Sequence, residues 1–267
     1  MQGAISAYTT AQVAPSDGVG FSNASLIKMA CRSDGRLLQP SAPARAIDAS
    51  FALSGAPQPR VEHVHAIMAT HTQLKDMLWA HVLVIGLNAT FELRPAHLTG
   101  QGELSDDETQ EHLVWSGYQA SGTVGKAVAG TAADTADAAA AAAPAKANVT
   151  IVGPFSPSAP LRIPACGYAD FGLYHIAPVF KKTGRAFLGE VGKWVPVSSA
   201  RVTAVSDAAA AMTVEIVGEV AEQVELVFAQ RGEGEASASA GPVSVLCKIG
   251  ASGEAKASFD GATAKCA

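Results

Sequence analysis

The sequence predicts a mainly β protein built as an antiparallel β-sandwich, and two observations carry that expectation. From residue 61 onward, short runs rich in Val, Ile, Leu and aromatic residues recur, separated by Gly, Pro and polar turn signals. In the C-terminal half these runs alternate apolar and polar residues, as in Val214-Glu215-Ile216 and Val224-Glu225-Leu226-Val227. A period of two places alternate side chains on opposite faces, so one face of each strand can be buried.

Taken in order, the residues up to Pro15 suit a short helix, and Pro15-Ser16-Asp17-Gly18 a turn. Ser25-Leu26-Ile27-Lys28-Met29-Ala30 fits a helical turn or a short strand, and Asp34-Gly35-Arg36 a second turn. Residues 61–72 are rich in β-formers, 73–76 connect, and 79–87 (WAHVLVIGL) form a strongly apolar strand. Short strands are expected at 91–93 and 113–115, with an acidic loop at 102–111 between them. Residues 120–147 are nearly all small, with much Ala and no apolar stripe, so a helix there has nothing to pack against. They read as an inserted surface loop. Strands follow at 148–152, 174–180, 185–191, 194–197, 202–205, 212–217, 223–228, 243–249 and 255–259.

Composition narrows the function classes. The chain has 267 residues, 48% of them hydrophobic, and a net charge of −5. Such a balance gives no basic field, which argues against nucleic acid as a partner. No apolar run approaches the roughly 18 residues of a membrane span. Asn occurs only at Asn23, Asn88 and Asn148, and each begins an Asn-x-Ser/Thr sequon. With Ser and Thr at about one residue in seven, three such hits by chance have a probability on the order of 0.003. The expectation is three glycosylated surface sites in a secretory-pathway or extracellular protein. Met1-Gln2-Gly3-Ala4-Ile5-Ser6 lacks the features of a signal peptide, so this expectation requires the chain to be the C-terminal part of a longer protein. Of the four cysteines, Cys247 and Cys266 would close a plausible local loop, whereas Cys31 and Cys166 sit beside apolar residues as buried thiols would.

Motifs for chemistry are sparse. GxSxG, HExxH, GxGxxG and Walker sequences are all missing, and no cofactor is implied. His63 and His65 would share one face of a strand, with His71, His81 and Glu62 near in sequence. No carboxylate lies at a diagnostic spacing, so no metal site is assigned. The carboxylates weighed for glycoside hydrolysis are Asp17, Asp34, Asp48, Asp170 and Glu190. Most sit at turns, where capping is their default role. Glu190 can pair with Lys193, and Asp17 is the most site-like of the five. Trp79, Trp115 and Trp194 suit either a sugar-stacking surface or core packing, of which core packing is the commoner.

Two stretches carry a family resemblance. The first is Val13-Ala14-Pro15-Ser16-Asp17-Gly18 with Leu26-Ile27-Lys28 and Arg32-Ser33-Asp34-Gly35-Arg36-Leu37-Leu38-Gln39-Pro40. The second is Phe171-Gly172-Leu173-Tyr174-His175-Ile176-Ala177-Pro178-Val179 with Leu188-Gly189-Glu190-Val191-Gly192-Lys193-Trp194. Together they resemble the end of the catalytic barrel and the following β-domain of the raffinose synthase and α-galactosidase group of glycoside hydrolases. Gln12-Val13 replaces the Gly-Pro usual in that group. The resemblance implies a short remnant of a (β/α) barrel at 1–50 and a C-terminal β-sandwich at 51–267, with the insertion at 120–147. It also implies an upstream barrel domain holding the catalytic carboxylates, a carbohydrate ligand, and Asp17 as a substrate-binding residue. No catalytic residue is assigned in this chain.

Two other functions compete with a catalytically incomplete glycoside-hydrolase-like portion. One is a secreted carbohydrate- or protein-binding β-sandwich without activity, and the other a metal-dependent β enzyme using His63 and His65. The loop reading makes its own prediction. Deleting 120–147 should leave the thermal midpoint within a few degrees of the parent. A midpoint lower by about 8 °C or more would mean that the segment packs on the core, since about 1 kcal/mol moves a chain of this size by roughly 2–4 °C.

Overall fold

A computed structural model describes residues 2–13, 18, 23–50, 66–98, 111–118, 149–167, 171–231 and 240–267. Asp17, Glu62, His63, His65, Asn148, Asp170, the 102–110 part of the acidic loop and the 120–147 insertion lie outside the described residues. Two short helices, α1 (Gln2–Tyr8) and α2 (Ala24–Lys28), come before most of the strands. In chain order these are β1 (Arg45–Ala46), β2 (Ala66–Leu74), β3 (Met77–Ile85), β4 (Phe91–Leu93), β5 (His112–Tyr118), β6 (Thr150–Phe155), β7 (Leu161–Ile163) and β8 (Gly172–Pro178). They continue as β9 (Arg185–Glu190), β10 (Val202–Asp207), β11 (Met212–Val217), β12 (Gln223–Gln230), β13 (Ala240–Lys248), β14 (Glu254–Phe259) and β15 (Ala264–Cys266).

The fold is mainly β, with antiparallel sheets throughout the described residues. A parallel pairing of barrel type is therefore not present among them. One six-stranded sheet runs β1-β2-β3-β8-β5-β6, a four-stranded sheet β10-β11-β14-β15, and a three-stranded sheet β13-β12-β9. Strands β4 and β7 form a small ribbon. The apolar run at 79–87 becomes β3, buried on both faces. Trp79, Leu83 and Ile85 alternate with Ala80, Val82 and Val84, and all six are out of solvent. A strand covered on both sides loses its polar face, which is why this run is continuous where β11 and β12 alternate.

Three apolar clusters follow from this layering. The largest joins Met212, Val214, Ile216, Ala257 and Phe259 of the four-stranded sheet to Phe187, Leu226 and Phe228 of the three-stranded one. Trp79, Trp115 and Ala177 from the six-stranded sheet complete it. Phe228 stacks on Phe259 with centroids 5.2 Å apart, and Trp79 Nε1 donates to the Phe187 carbonyl at 2.8 Å. A second cluster covers the other face of β3 and β8 with Leu93, Leu161 and Ile163 of the ribbon. The third packs α1, through Ala4, Ala7 and Tyr8, against Leu83, Leu173, Trp194 and Val195.

Residues 194–197 do not form the expected strand. They make a buried loop whose backbone bonds to two separate elements: Trp194 N–H donates to Met29 O at 3.0 Å, and Pro196 O accepts from Glu190 N–H at 2.8 Å. Pro196 lacks an N–H and cannot extend a ladder. The loop reaches β9 because Gly189 has φ 122° and no side chain. A Cβ there would lie 2.6 Å from Pro196 Cβ and 2.7 Å from its carbonyl oxygen. β7 and β15 are additional short strands, and β15 is fastened by a disulfide between Cys247 of β13 and Cys266. Cys31 and Cys166 are free and half-buried rather than fully buried.

The Cys247–Cys266 bridge spans 19 residues and ties the edge of one sheet to the edge of the other. Closing a loop of that size constrains the unfolded chain by about 3 kcal/mol. Cys266→Ala should lower the thermal midpoint by about 6–12 °C in calorimetry. An unchanged midpoint would mean that β15 contributes nothing to the folded state.

Candidate functional site

The two stretches that carry the family resemblance, far apart in sequence, meet beside one charged junction. Arg201 stands immediately before β10, in a turn where its N–H donates to Ser198 O, and it is 0% exposed. Its guanidinium donates to Glu190 Oε2 at 2.8 Å, to Glu222 at 2.8 and 2.6 Å, and to Val217 O at 2.8 Å. Lys193 lies 3.6 Å from the other Glu190 oxygen and donates to Lys28 O and Cys31 O at 2.8 and 2.7 Å. Glu222 also accepts from Ser33 N–H at 3.0 Å. Arg32 donates to Ala200 O at 2.9 Å and pairs with Asp34 at 2.6 Å. Ser198 Oγ closes the seam by donating to Gln39 O and accepting from Gln39 N–H.

This arrangement is structural. Burial alone would raise the Glu222 carboxyl, but the bonds from Arg201, Ser33 and Glu219 bring it down to about 2. Burial pushes the Glu190 carboxyl up, and Lys193 and Arg201 offset part of that rise. Both carboxylates grip one buried guanidinium, so neither is free to act as an acid or a nucleophile on a ligand.

A second cluster lies where β9, the end of β10 and the β14–β15 turn meet. It borders an open cleft of about 590 Å³ lined by Lys182, Thr183, Arg185, Asp207, Gln230 and Asp260. Arg185 donates to Asp207 Oδ1 at 3.1 Å and to the carbonyls of Ala208, Ala209, Ala210 and Asp260 at 2.8–3.3 Å. Thr183 Oγ1 donates to Asp207 Oδ2 at 2.7 Å, and Gln230 Nε2 to Thr183 O at 2.8 Å.

A buried histidine pair forms the third feature. His81 and His175 face each other across β3 and β8, with Nδ1 to Nδ1 at 2.9 Å. Thr72 Oγ1 donates to Val197 O at 2.7 Å and lies 3.3 Å from His81 Nε2. With its proton spent on Val197, Thr72 accepts from His81 Nε2–H, so His81 Nδ1 accepts from His175 Nδ1–H. The chain of bonds requires His81 to be neutral, because protonating its Nδ1 would remove the acceptor for His175. Burial pushes His81 down to about 3 and His175 well below its ordinary value. His112 falls to about 4, again through burial, partly opposed by a backbone bond at Phe155.

The residues weighed from the sequence fall as follows. Asp34 holds Arg32 and accepts from Arg36 N–H, so it is a turn former, and Asp48 is exposed. Glu190 does meet Lys193, but its shorter contact is with Arg201. Trp79, Trp115 and Trp194 are 2–3% exposed, which rules out a sugar-stacking surface made from them. His71 is half-buried and His81 buried, and no group of three metal-competent side chains occurs among the described residues. Asn23 and Asn88 are exposed. Asn23 caps α2, its Oδ1 accepting from Ser25 and Leu26 N–H. Sequence reasoning missed Arg185, Arg201, Asp207, Glu222 and the pairing of His81 with His175. Their partners are set by tertiary contacts, and only the Glu190-x-x-Lys193 spacing hinted at a charged site. Neither the known protein families nor the curated proteins include a match to this chain.

The histidines give a signed pH prediction. The folded state keeps His81, His175 and His112 neutral, whereas the unfolded chain protonates them below about 6.5. Their contribution is therefore intact above pH 6.5 and is lost as pH falls toward about 4 for His112 and about 3 for His81. Urea unfolding at pH 5.5 should show about 4 kcal/mol less stability than at pH 7.5, at roughly 1.4 kcal/mol per histidine. Equal stability at the two pH values would contradict the neutral pair.

Proposed function

We propose that this chain is the C-terminal β-domain portion of a carbohydrate-active, glycoside-hydrolase-like protein and is catalytically incomplete alone. The observation that carries the reading is the contact between residues 28–39 and 193–200, in or directly beside the two stretches resembling the raffinose synthase and α-galactosidase group: Arg32 donates to Ala200 O, Lys193 to Lys28 O and Cys31 O, and Ser198 Oγ to Gln39 O. On this reading residues 1–50 are the end of a catalytic barrel seated on the sandwich, and an upstream barrel domain supplies the catalytic carboxylates. Among the described residues, the buried Glu190 and the half-buried Glu222 and Asp207 are all bound to arginines, so none of these three is free to serve in hydrolysis. Asp17 is assigned to the rim of the sugar pocket as a binding residue.

A secretory or extracellular location belongs to the same proposal. It is supported by the Cys247–Cys266 disulfide, which persists in oxidising compartments, and by the exposure of Asn23 and Asn88 as glycan acceptors, with Asn148 the third. A secreted binding sandwich without activity is the second reading, favoured by the polar cleft beside Arg185.

The isolated chain should not hydrolyse an aryl α-galactoside. A longer protein carrying the barrel should, and Asp17→Ala in it should raise KM. Turnover by the isolated chain, abolished by Asp17→Ala, would place the active site here and overturn the proposal. A longer protein with no barrel would favour the second reading.

A further inference from the structure

We infer that the cleft beside Arg185 binds a small neutral polyhydroxylated ligand, a saccharide of two or three residues. The inference goes beyond the hydrolase proposal and stands on the cleft's own chemistry. Among the described residues its charges cancel, because Lys182 and Arg185 line it together with Asp207 and Asp260. A balanced site does not select for an ion. The lining has no aromatic and no large aliphatic side chain among the described residues, so these offer nothing to an apolar ligand. Its volume of about 590 Å³ lies within the usual range for small-molecule sites.

The functional groups left over are those that recognise hydroxyls. Arg185 spends both terminal nitrogens on Asp207 and four carbonyls, and its Nε–H has no acceptor among the described residues. Gln230 spends Nε2 on Thr183 O, and its Oε1 has no donor among the described residues. The Lys182 ammonium forms no bond to the described residues. The acceptor and the donor are neighbours: both Gln230 Oε1 and Arg185 Nε lie within 4 Å of the point that a Cβ on Gly261 would occupy. Gly261 adopts φ 107°, a conformation that side chains disfavour, so the turn above this pair stays bare. A hydroxyl both donates and accepts, and it fits an adjacent acceptor and donor as an ion or a hydrocarbon does not. The Arg185 bonds fix the cleft before any ligand arrives, so little ordering accompanies binding.

The test is an NMR titration of the 267-residue chain with melibiose, maltose and, as the anionic counterpart, glucose 6-phosphate. Saturable shifts confined to the amides of 182–185, 207–209, 230 and 260–261 are expected for one or both neutral sugars, with millimolar affinity. Lys182→Met, an exposed change that leaves the fold alone, and Gln230→Leu should each weaken binding about five- to tenfold. Glucose 6-phosphate should bind no tighter than the neutral sugars. Three results would overturn the inference: no saturable shift with either disaccharide, affinity unchanged in Lys182→Met, or at least tenfold tighter binding of the phosphorylated sugar. None of these depends on turnover, so the inference and the hydrolase proposal fail separately.

Discussion

The buried guanidinium of Arg201 is the constraint around which the C-terminal half of this protein is arranged. A charge taken out of water has to be paired and hydrogen-bonded, and removing one partner of such a group typically costs about 3–5 kcal/mol. Arg201 meets that demand with Glu190 from the end of β9, Glu222 from the loop before β12, and the carbonyl of Val217 at the end of β11. Three separate chain segments must therefore be in place at once. Gly189 contributes by letting the 194–197 loop lie against β9, which sets the direction in which Glu190 points.

The same network reaches outward to the N-terminal segment. Glu222 holds the backbone of Ser33, Lys193 holds two carbonyls at the end of α2 and beyond it, and Trp194 both donates to Met29 and accepts from the Tyr8 hydroxyl. These contacts attach α1 and residues 28–40 to the sandwich with the chemistry of a protein interior. The charged groups that hold this segment, Arg32, Lys193 and Glu222, are buried or half-buried. This is the physical basis for treating the N-terminal stretch and the β-domain as one unit, and for placing the functional proposal on their junction.

How much of this was legible depended on whether the signal was local. Alternation made β10, β11, β12 and β14 readable, and the run around Val82 made β3 readable, because burial on one or two faces writes itself into period two or a continuous apolar string. The short strand Leu161–Ile163 stayed hidden between prolines, and β15 in only three residues. Trp194-Val195-Pro196-Val197 has strand composition but was claimed by Met29 and Gly189, which no local pattern reveals. Asn23, Asn88 and the Cys247–Cys266 pair were readable as residue types with a simple spacing. Arg201, Arg185 and the His81–His175 pair were not. Each draws its meaning from partners 11 to 94 residues away that only the sheet register brings together. The tryptophans point the same way: as residue types they fit a sugar platform or, more commonly, a core, and burial decided for the core.

The central claim is that residues 23–40 and the sandwich are one cooperative structure joined through Arg201. Native-state hydrogen exchange tests it most directly. The amides of Ser33 and Leu38, bonded to Glu222 and Ala30, and of Trp194, bonded to Met29, should open with the same free energy as the β11 amide of Val214. Opening of Ser33, Leu38 and Trp194 at a cost several kcal/mol below that of Val214 would show that the N-terminal segment detaches while the sandwich stays folded, and would contradict the account.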